Sequence, residues 1–171
     1  MKSSQLSTNE YADFYSNYIK HTQNLSLIEG LLDGQTDVCN YFEAIPEPKL
    51  TYSYAEGKWT PKDILQHLID VERVFSYRAL RFARLDTSML AGFDENYYAE
   101  VALGNNRTLD NLLSEYKLLR ASTIAMFQSF DEDALKRIGN ANGSKMSVRA
   151  AGFVLIGHEK HHCNVITERY L

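Results

Sequence analysis

Apolar positions along the chain fall into long stretches with helical spacing, separated by polar, Gly- and Pro-marked breaks. Tyr11 to Tyr18 is an aromatic run. From Leu25 to Phe42 the residues Ile28, Leu31, Leu32, Val38, Cys39 and Phe42 share a helical period interrupted by Gly30 and Gly34, and Ile45-Pro46-Glu47-Pro48 ends it. Together these predict one bent helical wall near residues 10–44. A sharper start follows at Thr60-Pro61-Lys62-Asp63, with Thr60 as N-cap, Pro61 in the first helical position and Asp63 completing a capping box. That helix should run over 60–85, with Ile64, His67, Leu68, Val71, Val74, Phe75 and Arg78 facing inward. Thr108 caps a third, over 108–130, whose stripe runs through Leu112, Leu113, Tyr116, Leu119 and Phe127. Ser147 caps a fourth, over 147–170.

Residues 51–58 read as a connector, 86–104 as irregular with a short helix around Glu95–Val101, Asp131 as the start of another short helix, and 138–145 as a Gly/Asn loop. The expected fold is all-α: a four-helix bundle with a long central connection, forming a single domain over 1–171, with no sheet beyond two short strands.

Composition narrows the classes. The net charge is −4 and no basic stretch stands out, which gives no reason to expect nucleic-acid binding. No apolar run reaches the ~18 residues of a membrane span, and residues 1–8 lack the apolar core of a signal peptide. Cys39 and Cys163 stand far apart with no C-x-x-C spacing. A reducing, cytoplasmic setting is the expectation, and the many tyrosines raise that of a homodimer.

The chemistry concentrates near the C-terminus, in Gly157-His158-Glu159-Lys160-His161-His162. Positions 151, 155, 158, 162, 165 and 169 step by four and three, so they lie on one helical face. His158 and His162 are neighbours on that face, one turn apart, and can converge on one metal ion. His161 points off it. Two adjacent buried imidazoles are costly without a shared partner, but a pair alone does not make a metal site, and a third ligand has to come from elsewhere. His67 is a further histidine on an inner face.

The segments Trp59-Thr60-Pro61-Lys62-Asp63-Ile64-Leu65-Gln66-His67-Leu68-Ile69-Asp70 and Gly157-His158-Glu159-Lys160-His161-His162 resemble the two signature segments of the DinB-like superfamily. Arg73, Tyr77-Arg78-Ala79-Leu80, Asp94-Glu95 and Glu168-Arg169-Tyr170-Leu171 are similar to one bacterial branch of it. The resemblance spans about residues 10 to 171. It implies a bundle with an unusual connection order and one divalent metal held by His67, His158 and His162. Three neutral imidazoles leave a coordination position open and suit zinc, nickel or iron alike. Relatives in this superfamily include S-transferases that use a low-molecular-weight thiol, a thiol-dependent isomerase, proteins regarded as metal-dependent hydrolases, and proteins induced by DNA damage. The resemblance therefore implies a metal-dependent transferase or hydrolase acting on a small-molecule substrate. A non-enzymatic metal- or small-ligand-binding stress protein is the alternative.

His158-Glu159-Lys160-His161-His162 also satisfies H-E-x-x-H, in which Glu159 would be the general base. The extended metalloprotease form needs Gly at 165 and His at 168, where this chain has Val165 and Glu168. The three-histidine arrangement is preferred. Glu159 stays a candidate base if it reaches the site, and is otherwise a solvated helix residue. Asp70, Arg73 and Arg78 are candidates for the substrate pocket, against the alternative of structural ion pairing.

Overall fold

A computed structural model describes residues 1–22 and 24–171. The chain begins with 3-10 turns at Ser3–Gln5, Thr8–Glu10 and Asp13–Tyr15 and the short helix α1 (Ser16–Lys20). Then come α2 (Leu27–Glu43), α3 (Glu47–Leu50), α4 (Pro61–Ala83), α5 (Glu95–Ala102), a 3-10 turn at Gly104–Asn106, α6 (Leu109–Gln128) and α7 (Glu132–Lys136). A hairpin of β1 (Ile138–Ala141) and β2 (Ser144–Ser147) leads into α8 (Val148–Arg169).

The bundle consists of α2, α4, α6 and α8. Helix α8 packs beside α2 and α4, and α6 packs beside the same two from the other side. Helices successive in sequence, α2 and α4, therefore sit on a diagonal, as do α6 and α8. The 44–60 and 129–147 connections cross the bundle, whereas 84–108 joins neighbours.

The predicted caps are present. Thr60 Oγ1 accepts from the Asp63 amide at 3.2 Å while Asp63 Oδ2 accepts from the Thr60 amide at 3.1 Å. Ser147 Oγ accepts from the Ala150 amide at 3.1 Å, and Thr108 Oγ1 from the Asn111 amide at 3.2 Å. Each such cap satisfies a backbone donor the helix leaves open. The ends of α4, α6 and α8 fall within two residues of those expected.

Two expectations need correction. The wall predicted over 10–44 is one helix, α2, preceded by 3-10 turns and one turn of α-helix; Gln23, within that range, lies outside the described residues. The N-terminal stretch takes this path because it is held by the start of α8: Glu10 accepts from Ser147 Oγ at 2.8 Å and Arg149 Nε at 2.6 Å. Tertiary contact overrides the aromatic periodicity. The 138–145 loop is a hairpin. Asn142 (φ 53°) and Gly143 (φ 77°) form its turn, and Asn-Gly is the pair that best tolerates two successive left-handed residues.

Four bundle helices meet at one buried guanidinium. Arg120 of α6, 1% exposed, binds Glu72 of α4 through Nε and Nη2, both at 2.9 Å. Its Nη2 also binds Glu159 of α8 at 2.6 Å, and Nη1 donates to the Leu31 carbonyl of α2 at 3.2 Å. Tyr116 Oη donates to Glu159 Oε2 at 2.8 Å. Gly34 of α2 makes room, since a Cβ there would lie 1.9 Å from Glu159 Oε1. Removing one partner of such a cluster strands the opposite charges. Arg120→Met should therefore destabilise the bundle by about 3–5 kcal/mol, read as a lower urea midpoint at unchanged slope.

Candidate metal centre

Three imidazoles meet on one side of α8. His158 Nε2 lies 3.1 Å from His67 Nε2 and 3.0 Å from His162 Nε2. His158 and His162 are one turn apart on α8, and His67 faces them from the second turn of α4. His67 and His158 are buried and His162 is half-buried. Among the described residues no fourth His, Cys, Asp or Glu joins the group.

Aromatic walls orient the rings. Trp59, just before α4, packs on His67 with ring centres 4.6 Å apart and lies over His162 at 6.3 Å. Tyr18 of α1 meets His158 edge-on at 5.1 Å. Tyr18 can approach because residue 157 is glycine: a Cβ there would sit 1.9 Å from the Tyr18 carbonyl oxygen. His161 turns aside against Tyr18 and His21 and stays out of the group.

Burial disfavours the imidazolium forms. It lowers the pKa of His67 to about 4 and, helped by the neighbouring histidines, that of His162 to about 3. His158 is pushed well below its ordinary value by burial, then by His162 and His67. At neutral pH three uncharged rings thus converge, and among the described residues their nitrogens meet only each other. One shared proton satisfies a single pair of nitrogens, whereas one divalent ion satisfies all three, and neutral imidazole is the ligand form. The donor set fits such an ion.

The cluster opens into a cavity of about 440 Å³. Val71, Phe75 and Arg78 of α4 line it, with Phe93 from the 84–94 loop and Asn142 and Ser144 from the hairpin. The hairpin is pinned there by Leu90, whose amide donates to the Asn140 carbonyl at 3.0 Å and whose carbonyl accepts from the Asn142 amide at 2.8 Å.

Of the pocket candidates, Arg78 alone is brought in. Asp70 points elsewhere and accepts from Gln66 Nε2 at 3.1 Å. Arg73 is exposed and pairs with Glu115 on the surface. Glu159 corrects both of its readings. It is 2% exposed, so it is no solvated residue, and its carboxylate is engaged by Arg120 and Tyr116 away from the cavity, so it is not placed as a base. Residues 158 and 159 lie about 100° apart around the axis, and on the side of 159 Arg120 and Tyr116 claim the carboxylate. Trp59 and Tyr18 were missed as site walls. The glycine beside His158 was the available signal for close packing there.

The family model for the DinB superfamily matches residues 31–166. The chain belongs to the DinB superfamily. No curated protein matches it. Its fold is shared with that of YfiT from Bacillus subtilis, described as "a probable metal-dependent hydrolase with an unusual four-helix bundle topology", with a TM-score of 0.72 over 83% of this chain and 82% of that one. At 19% identity the likeness speaks for the fold. No helix among the described residues is long and apolar enough to cross a membrane.

The lowered histidine pKa values set a pH dependence for metal-free protein. Unfolded imidazoles take up protons near 6.5, whereas folded His67 and His162 do so near 4 and 3. Across that window the unfolded chain holds more protons, so stability rises with pH and is lost as pH falls. Between pH 6.5 and about 5 the loss should be roughly 2 kcal/mol per histidine. Urea midpoints with a chelator present should show it, and His162→Gln should flatten the slope.

Proposed function

We propose that this DinB-superfamily chain is a metal-dependent enzyme in which His67, His158 and His162 hold one divalent ion. The observation that carries this is a cluster of three imidazoles, without a fourth protein ligand among the described residues, at the wall of an open cavity. A structural site would close its coordination with protein groups; a catalytic one leaves a position for substrate. When bound, the ion supplies Lewis acidity that lowers the pKa of a coordinated thiol or water.

The preferred chemistry is transfer of a low-molecular-weight thiol to a small electrophile. A free thiol has a pKa of about 8.5 and needs only a modest push to ionise near neutral pH. Such a reaction makes little demand for a protein base beside the histidines, and Glu159 is held by Arg120. The protein's own part is to orient three rings through Trp59 and Tyr18, keep them uncharged by burial, and enclose the reactants among aromatic side chains. Hydrolysis is the second reading, favoured by the description of YfiT.

The test begins with metal analysis of protein purified without a histidine tag, followed by a screen of thiols with electrophiles and of esters and amides without thiol. The expected result is about one equivalent of metal and turnover that requires thiol. Ester or amide cleavage without thiol would select the hydrolase. A fully metallated protein that turns over neither would leave a ligand-binding role.

Ligand substitutions give a sharper expectation. His67→Ala, His158→Ala and His162→Ala should each lose metal and turnover while keeping a helical far-UV spectrum, because the core is built of aliphatic and aromatic side chains. His161→Ala should keep both metal and turnover. Metal loss in His161→Ala alone would mean the ion sits elsewhere.

A further inference from the structure

Two arginines are almost wholly buried, and their surroundings differ. Arg120 faces two carboxylates. Arg78, 3% exposed, has no carboxylate within ion-pairing distance among the described residues. One of its terminal nitrogens donates to the Ala91 carbonyl at 3.1 Å, and its Nε has no hydrogen-bond partner among the described residues. Its guanidinium carbon lies 5.2 Å from the Phe75 ring centre and 5.9 Å from that of Phe93. The neighbouring Tyr15 phenol brings no negative charge, because burial raises its pKa. Burial likewise pulls the pKa of Arg78 down. An unpaired cation in apolar surroundings is costly, and aromatic contacts offset only part of that.

Arg78 lines the same cavity as the three imidazoles. Eleven residues of α4 separate it from His67, about 16 Å of helix axis. Val71, Phe75 and Phe93 form the apolar wall between the two ends. We propose that this cavity takes an organic carboxylate. The carboxylate seats on the Arg78 guanidinium, an apolar body lies along Phe75 and Phe93, and the far end faces the imidazoles. Arg78 is then the residue that sets specificity for an anionic substrate or thiol. Among the described residues no lysine lines the cavity, and the Glu95 that lines it is exposed. One buried cation beside an external negative charge matches a monoanion better than a phosphate dianion. Which end of the ligand reacts rests on the metal-enzyme reading; the carboxylate seat does not.

Trp59 is the sole tryptophan and lines the cavity, so its fluorescence reports binding. The experiment titrates the full-length protein with phenylacetate and with phenethyl alcohol, its uncharged counterpart, first with a chelator and then with one equivalent of zinc. The metal-free protein should bind the acid about tenfold more tightly than the alcohol. Arg78→Met should erase that preference, and Arg78→Lys should keep part of it. Equal affinity for acid and alcohol in the wild type, or a preference that survives Arg78→Met, overturns the proposal. Displacement of phenylacetate by inorganic phosphate at equal concentration overturns the carboxylate assignment. Far-UV circular dichroism and zinc uptake check that Arg78→Met is folded; if it is not, the wild-type comparison and Arg78→Lys decide. Acid preference without any metal-dependent turnover overturns the enzyme reading and leaves the carboxylate seat standing. Turnover without acid preference does the reverse.

Discussion

Everything in the bundle is referred to the Arg120 guanidinium. It is the point where α2, α4, α6 and α8 touch one group, and all of its partners are backbone or carboxylate oxygens. Its net contribution to stability over an apolar core is small. Its effect on geometry is larger. Fixing Glu159 fixes the rotation of α8, and the adjacent His158 then points about 100° away, toward α4. Fixing Glu72 does the same for α4, where His67 lies five residues earlier, about 140° round the helix. One buried ion cluster on the bundle axis thereby aims imidazoles from two helices at a common point on its flank. In this sense the polar centre of the fold and the candidate metal centre are two faces of the same helices.

Much of this was legible in sequence, for identifiable reasons. The starts of α4, α6 and α8 carry their own capping side chains, so local chemistry and tertiary structure agree. The histidines could be placed because periodicity puts residues 158 and 162 on one face and 67 on an inner one. Arg120 could not be found that way. It sits in a stripe of leucines and aromatics, and a charged side chain there reads as surface until its carboxylates, from Glu72 and Glu159, are seen to arrive from other helices. Pairing across 39 and 48 residues leaves no local trace. The hairpin is a different failure. Asn142-Gly143 is a strong turn pair, but strands of four residues that contain Gly139 and Lys145 show little alternation.

The cavity is assembled from pieces that carry no shared pattern. Tyr18 comes from the N-terminal segment, Trp59 from a connector, Phe93 from the loop before α5 and Asn142 from the hairpin turn. Three of these pieces are held by contacts of their own: Glu10 anchors the N-terminal segment on α8, and Leu90 pins the hairpin to the loop. The bundle supplies the histidines and Arg78, and these attached segments close the space around them. Such a division lets the reactive groups stay on rigid helices while loops shape what can enter.

The H-E-x-x-H spacing shows why a motif has to be read through its surroundings. In the protease signature the glutamate serves the metal site as general base. Here Glu159 is buried against Arg120 and Tyr116, where a carboxylate with those partners is better satisfied than one turned toward the histidines. The identity of the residue at 159 is thus dictated by α6, and that of 158 and 162 by the cavity, although the three lie within five consecutive positions. What separates the two roles is what each side chain meets about 100° apart around the helix, Arg120 and Tyr116 on one side and His67 on the other. Held by Arg120 and Tyr116, Glu159 adds no negative charge to the histidine cluster.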